Sequence, residues 1–349
     1  MRYFDDQLII NSQPHADWWE QIGVARDYFH HVESHFASFQ ANASAVLPRD
    51  AWLQMDEVTL SVMRDDGGEE FMRDLMALAK PVDIGTIAHL TRVSSDTNNP
   101  VNRSLSGQTP VALDKTVYDY RGTVIPIFSD GYGREWREWN SLRNANFNAL
   151  ADDHEGSLEK INRDMVDYAL DGDTTIKFQS YTAYGVRNSP MTKLINLGSG
   201  AGGANIDLTA ATPDQLDAFF SQTLGAMLDA NLVTGKVNLY ISNEIARAWD
   251  KQLSGSDGFK EGKIWDFVAK NRRINKIVPT AKLTGNQFFG FVPNKRYVRP
   301  LIGMAVNTTA MTRLNPFDNY QFLNWGAMGI EVRGDYNGKS GVFASTVIN

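Results

Sequence analysis

The stretch from Ile84 to Gly172 constrains this chain more than any other. It opens with two β-like runs, IGTIAHLTRV and TVYDYRGTVIPIF, set around a long polar excursion. A glycine-flanked turn, SDGYG, leads into a helical pattern expected from about Tyr132 to Leu170. The middle of the excursion, SSDTNNPVNRSLSGQTP, is rich in Ser, Asn, Gly and Pro, which favour turns and a flexible tip. Loops this long with no structure of their own are usually functional or disordered. This one is too polar to bury itself, so it needs another surface, and a second chain offers one. The arm points to assembly rather than catalysis; a plain long hairpin is the alternative.

The long helical pattern is amphipathic. Leu158, Ile161, Met165 and Tyr168 recur at steps of three and four, and Trp136, Trp139 and Leu142 mark one face of its first part. Gly156 is expected to bend or interrupt it, at about 1 kcal/mol relative to alanine. Gly172 stands where a helix-ending glycine belongs. Upstream, Trp18, Ile22, Ala25, Phe29, Val32, Phe36 and Phe39 form a narrow stripe on a helix expected over residues 14–40. That helix docks either on a partner or on its own subunit. Two short helices are expected over 47–80, split by Asp65-Asp66-Gly67-Gly68, with Pro81 ending the second.

After residue 190 the pattern is compact. Thr212-Pro213-Asp214-Gln215 is a helix start with a capping box, followed by Leu216, Phe219, Phe220, Leu224, Met227 and Leu228. The strand KVNLYI follows, and Ser242 caps the next helix, NEIARAWDKQL. Another short helix is expected over Lys263–Asn271. From Ile274 onward strands dominate: INKIVPTAKL, QFFGFVP, YVRPLIGMAV, MGIEVRGDYNG and KSGVFASTVI.

Composition narrows the function classes. A chain of 349 residues can bury a large core and form two or three subdomains. Its net charge of −7 does not suit a sequence-specific nucleic-acid reader, which neutralises phosphates with basic patches. The lack of cysteine excludes disulfides, thiolate metal sites and cysteine nucleophiles, and suits a reducing cytoplasm. The N-terminus, MRYFDDQLII, lacks the basic flank and long apolar region of a signal peptide. No apolar run approaches the roughly 20 residues that span a bilayer, so no membrane partner is expected.

The candidate chemical sites are weak. Gly198-Ser199-Gly200-Ala201-Gly202-Gly203 matches G-x-G-x-x-G, but ANIDLTAAT intervenes before the next helix, so phosphates would meet no helix N-terminus. His31 and His35 share a helix face, but Glu33 does not, and His30 adds no metal-protease spacing. The scattered His15, His89 and His154 have no serine elbow near them. Asp171 and Asp173 do not continue into a calcium loop. Lys270, Arg272, Arg273 and Lys276 form a basic cluster best read as a solvated or interface patch. No catalytic residue, cofactor site or metal site is assigned.

Four runs carry a resemblance. They are LPRDAWLQMDEVTLSVMRDD…DLMALAKPVDIG; Ser95-Asp96 through YDYRGTVIPIFSDGYGREWREW; the long helix ending MVDYALDGD with the turn YGVRNSP; and the closing GIEVRGDYNGKSGVF. In their order and lengths, over residues 47–349, these segments resemble tailed-bacteriophage major capsid proteins of the Hong Kong 97-like fold. The resemblance implies an α+β fold with four parts. Residues 1–83 are the N-terminal arm and helices, and 84–130 the E-loop. Residues 131–195 and 300–349 make the peripheral domain with its spine helix, and 196–299 the axial domain.

It further implies a non-enzymatic protein that self-assembles as hexamers and pentamers into an icosahedral shell around the double-stranded DNA of a tailed phage. The shell would assemble in the host bacterial cytoplasm and contact the packaged DNA non-specifically. A separate scaffolding protein, a portal and a decoration protein are the expected helpers. Arg92, Arg103, Lys115 and Arg121 would give the E-loop a basic bias toward acidic residues of a neighbour, each exposed pair contributing at most about 1 kcal/mol. With Trp18, Phe29 and Phe36 of the N-terminal stripe, these are the candidate inter-subunit contacts. Some relatives cross-link an E-loop lysine to an asparagine; Lys115 is the only lysine here, and no cross-link is predicted. The same fold also serves encapsulin-type compartments. A reading of another class is a soluble α/β nucleotide-binding enzyme using the loop at 198–203.

Overall fold

A computed structural model of the chain describes residues 68–97, 101, 103–106, 113–144, 149–254 and 260–348. Side chains at 142–149 and 253–261, including Leu142, lie outside this description. So do the N-terminal stripe with Trp18, Phe29 and Phe36, the His30–His35 cluster, His15 and the first of the two short helices.

The second short helix is α1 (Glu69–Met76). Gly68 begins it with φ of 81°, and Glu69 and Glu70 face the positive end of its dipole. Phe71 and Leu75, four apart, bury its inner face. Strand β1 (Lys80–Pro81) follows, then β2 (Ala88–Ser94), β3 (Tyr118–Val124) and β4 (Ile127–Arg134). The two β-like runs pair with each other, β2 antiparallel to β3 from Ala88↔Val124 to Ser94↔Tyr118, so the arm is itself a hairpin.

The run SDGYG is not a turn. It lies inside β4, which pairs antiparallel with β14 (Tyr320–Val332). Its glycines admit the neighbouring strand: a Cβ on Gly133 would meet the Tyr320 carbonyl and the Gln321 backbone. The helix accordingly begins later than Tyr132, with α2 (Trp136–Asn144), and resumes as α3 (Ala149–Asp171). Gly156 does not interrupt α3, because its open side faces solvent and packing further along holds the helix. Ile161, Met165 and Tyr168 point into the core, with the Tyr168 ring edge-on to Phe128 at 5.2 Å. Gly172 ends the helix with φ of 65°, where the Gly185 backbone crosses too closely for any side chain.

Strands β5 (Gly172–Phe178) and β6 (Tyr181–Tyr184) form a short hairpin. β7 (Lys193–Asn196) precedes α4 (Pro213–Ala218), which opens with the expected capping box. The Gln215 amide donates to Thr212 Oγ1 and the Thr212 amide to Gln215 Oε1. A π-helical turn, Phe219–Leu224, continues α4 into α5 (Gly225–Ala230). Strand β8 (Val237–Ser242) is buried along its whole length, and Ser242 caps α6 (Asn243–Trp249). After β9 (Gln252–Ser254) and β10 (Lys260–Lys263) come α7 (Ile264–Ala269), β11 (Ile274–Thr280) and β12 (Phe288–Phe291). β13 (Val298–Ala310) and β15 (Val342–Thr346) complete the series.

Two sheets organise these elements. The first runs β1-β13-β14-β4, and α3 packs beside it. The second runs β11-β8-β12-β15-β7, with β8 flanked by parallel β11 and antiparallel β12. The residues from 300 onward thus serve both sheets: β13 and β14 the first, β15 the second. Phe71 of α1 meets Tyr240, Phe289 and Phe291 edge-on at the centre of one core. Phe219, Phe220, Phe288 and Trp249 fill the other, where the Trp249 indole donates to the Leu208 carbonyl at 3.1 Å.

Candidate inter-subunit surface

The hairpin β2–β3 leaves the body of the protein step by step. Alternation along β2 turns His89, Thr91 and Val93 inward and Leu90, Arg92 and Ser94 outward. On β3, Val124 is buried, Arg121 to Thr123 are half-buried, and Tyr118 to Tyr120 are exposed. The ladder extends one step further: the Ser95 amide donates to the Val117 carbonyl at 2.7 Å, and the Val117 amide to Ser95 Oγ at 2.9 Å. Beyond it, every described residue from 101 to 106 and from 113 to 115 is exposed.

The root is fixed by a buried carboxylate. Glu331 on β14 is only 4% exposed and lies opposite Arg299 of β13, whose Nε donates to Oε2 at 2.5 Å. The Thr91 hydroxyl of the hairpin donates to the other oxygen, Oε1. Arg333 stands 3.9 Å from the same carboxylate. Burial raises the Glu331 pKa, but the hydrogen bonds from Arg299 and Thr91 and the nearby guanidinium charges outweigh it, so the carboxyl titrates below its usual range. Beside it, Lys80 Nζ donates to His89 Nε2 at 3.0 Å, which leaves the His89 proton on Nδ1. That buried nitrogen has no hydrogen-bond partner among the described residues; Glu331 Oε1 is 4.0 Å away. Burial, the largest cause, pushes the His89 pKa down, and together with the Lys80, Arg299 and Arg333 charges it outweighs the opposing pull of Glu331.

Arg121 secures the other strand, donating to the Gly334 carbonyl at 3.1 Å. Tyr181 of β6 lies flat where a side chain at Gly122 would sit. Arg121 is therefore engaged within its own chain. Arg92 lies 4.8 Å over the Tyr118 ring, and it, Arg103 and Lys115 are exposed without an ion pair among the described residues. The stretch 84–130 also carries Asp96, Asp114, Asp119 and Asp130, so its four cations are balanced and the expected basic bias disappears. What the arm does present is apolar surface. Ten of the 21 exposed large apolar side chains among the described residues fall between Ile84 and Ile127. Leu105 and Leu113 stand almost wholly in water, which is unusual for side chains of this size.

The other candidate sites read differently. Three amides of the 198–203 loop are occupied within the chain: Gly198 N–H by Asn196 Oδ1, Gly200 N–H by the Ile348 carbonyl and Gly203 N–H by the Gly200 carbonyl. No helix follows until Pro213. In the basic cluster, Arg273 pairs with Asp229 and Lys276 with Glu70 and Asp74, while Lys270 and Arg272 are exposed. His154 meets the Tyr132 hydroxyl at 2.9 Å, and Asp173 accepts from the Thr175 amide and hydroxyl to close the helix-ending turn. Glu331 was the residue sequence reasoning passed over. Its signal is a lone acid in an otherwise apolar strand, GIEV, matched by the lone arginine of YVRPLI.

A family profile described as "Family of unknown function (DUF6260)" matches residues 42–345. No curated protein matches the chain. Among solved structures, the capsid of Myoviridae phage XM1 superposes with a TM-score of 0.63 at 11% identity, covering 87% of this chain and 100% of that one. The capsid of a native GTA particle gives 0.58 at 12%, covering 89% and 98%. A chain of Mycobacterium phage Ogopogo gives 0.55 at 12%, with the same coverage of 89% and 98%. These likenesses show the fold: the chain has the α+β, Hong Kong 97-like fold expected from its segment order.

Proposed function

The chain belongs to the DUF6260 family, a family of unknown function, and from that premise we propose that it is the major capsid protein of a tailed phage. Copies assemble as hexamers and pentamers into an icosahedral shell around double-stranded DNA, with a scaffolding protein, a portal and a decoration protein as partners. Assembly takes place in the cytoplasm of the host bacterium. The role is structural, and no residue is assigned to catalysis.

The observation that carries this reading is the fold likeness to the phage XM1 and GTA capsid chains over nearly their whole lengths. The arm supports it physically. A shell needs many repeated, moderately weak contacts, so that misplaced subunits detach before the shell locks. An extended apolar hairpin supplies contact area without a large core, at about 25 cal/mol for each Å² buried. On this reading 84–130 is the E-loop and α3 the spine helix. The β1-β13-β14-β4 sheet belongs to the peripheral domain, and residues 196–299, joined by β7 and β15, to the axial one.

Electron microscopy of the protein expressed with and without a scaffolding partner tests the reading. Closed shells are expected, with DNA as the packaged content in particles from infected cells. Monomers or dimers alone under every condition contradict it, and a protein cargo in place of DNA favours a compartment shell.

A further inference from the structure

Leu232 adopts a backbone conformation that its side chain opposes. Helix α5 ends with Asn231 as C-cap; the Leu232 amide donates to the Asp229 carbonyl at 3.0 Å and the Val233 amide to the Leu228 carbonyl at 2.9 Å. This is a Schellman ending, in which the residue after the cap is left-handed and usually glycine. Here that residue is a leucine at φ of 57°, where its Cβ crowds the backbone. Val233 is buried and explains its own identity, but Leu232 is 71% exposed. The chain holds a strained backbone in order to place an apolar side chain in water, and strain of this kind concentrates where a function uses it.

Leu232 lines a cleft of about 620 Å³ between the root of the β2–β3 hairpin and the loop 334–339. Exposed Tyr336 is its second apolar wall. Arg92, Arg296 and Lys339 line it as well, none of the three in an ion pair among the described residues, and they outnumber the one exposed acid there, Asp335, whose Oδ1 accepts from the Lys339 amide. An apolar centre with a cationic rim is the anatomy of a protein interface. A nucleic-acid backbone would use the cations but would have no use for the leucine. Copies of a chain with a net charge of −7 carry an excess of carboxylates, which such a rim attracts.

We propose that this cleft docks a second copy of the chain, which seats an apolar side chain against Leu232 and Tyr336 and sets acidic residues against Arg92, Arg296 and Lys339. The inference rests on the shell reading above and adds a contact that is separate from the exposed tip of the arm.

The test compares wild type, L232G and R296E by melting temperature of the unassembled protein and by the concentration at which shells form, read by light scattering. Glycine relieves the strain, so L232G should melt at the same temperature or higher, yet need about tenfold more protein to assemble, as expected for loss of one interface anchor. R296E should melt normally and assemble less readily. If wild type forms shells and L232G forms them at the same concentration, this proposal is overturned while the shell reading stands. If R296E and L232G lose only packaged DNA, and empty shells form normally, the cleft meets nucleic acid and the proposal is likewise overturned. If wild type forms no shells with or without a scaffolding partner, both readings fall.

Discussion

Arg299 and Glu331 face each other across the β13–β14 ladder, with Nε 2.5 Å from Oε2, and the exposed hairpin is tied to that pair through Thr91. The buried ion pair is thus the point from which the arm projects. A buried carboxylate that loses its charge leaves its arginine uncompensated. E331Q should therefore destabilise the unassembled protein by about 3 kcal/mol, measured by urea denaturation. R299M combined with E331L should recover most of that loss, because an apolar pair of similar volume no longer buries an unpaired charge.

His89 makes the same region sensitive to acid. Its folded pKa lies below the ordinary histidine value of 6.5, because burial and the facing Lys80, Arg299 and Arg333 disfavour the charged ring more than Glu331 favours it. The unfolded chain therefore binds the proton first as pH falls. Stability from this group is complete above pH 6.5 and declines as pH falls through 6.5 toward the folded pKa. Glu331, shifted down, adds stability that is complete above its unfolded value of 4.5 and is lost on further acidification through its folded pKa. The difference in melting temperature between wild type and H89Q should be constant above pH 6.5 and shift against the wild type as pH falls below 6.5, with a flatter profile for H89Q.

Gly122 tests how the hairpin root is seated. A side chain there would run into the ring of Tyr181. G122V should destabilise the folded protein by about 1–3 kcal/mol through overpacking and expose the arm to protease at lower concentration. G122V combined with Y181A should regain part of the loss.

Removing the tip separates folding from assembly. Every described residue from 101 to 106 is exposed and none belongs to a core cluster. A deletion of residues 95–110 should leave the circular dichroism spectrum and melting temperature of the unassembled protein close to wild type, while shells fail to form or are misshapen under electron microscopy.

Legibility followed locality. The capping box at Thr212–Gln215 and the glycine at 172 were readable because neighbours in sequence decide them. The hairpin of β2 and β3 was open to reading because two β-like runs flank a turn-rich stretch between them. The SDGYG run was not, since its extended shape depends on β14 passing beside Gly133, far along the chain. Thr91 and Glu331 are 240 residues apart, and nothing near either residue announces the other. The charge of the arm was legible in full, yet reading its four cations without its four aspartates suggested a bias that does not exist. The apolar side chains between Ile84 and Ile127 were visible as letters, but only the structure shows that they face water.

Leu90 reports most directly on whether the arm rests on a neighbouring copy. It points outward from β2 and is 53% exposed in the single chain. The protein has no cysteine of its own, so L90C carries the only thiol. The measurement is the rate of maleimide labelling before and after assembly. A rate that is fast in the free subunit and near background in the shell is the predicted result. Equal labelling in the two states would contradict the claim that another copy covers the arm.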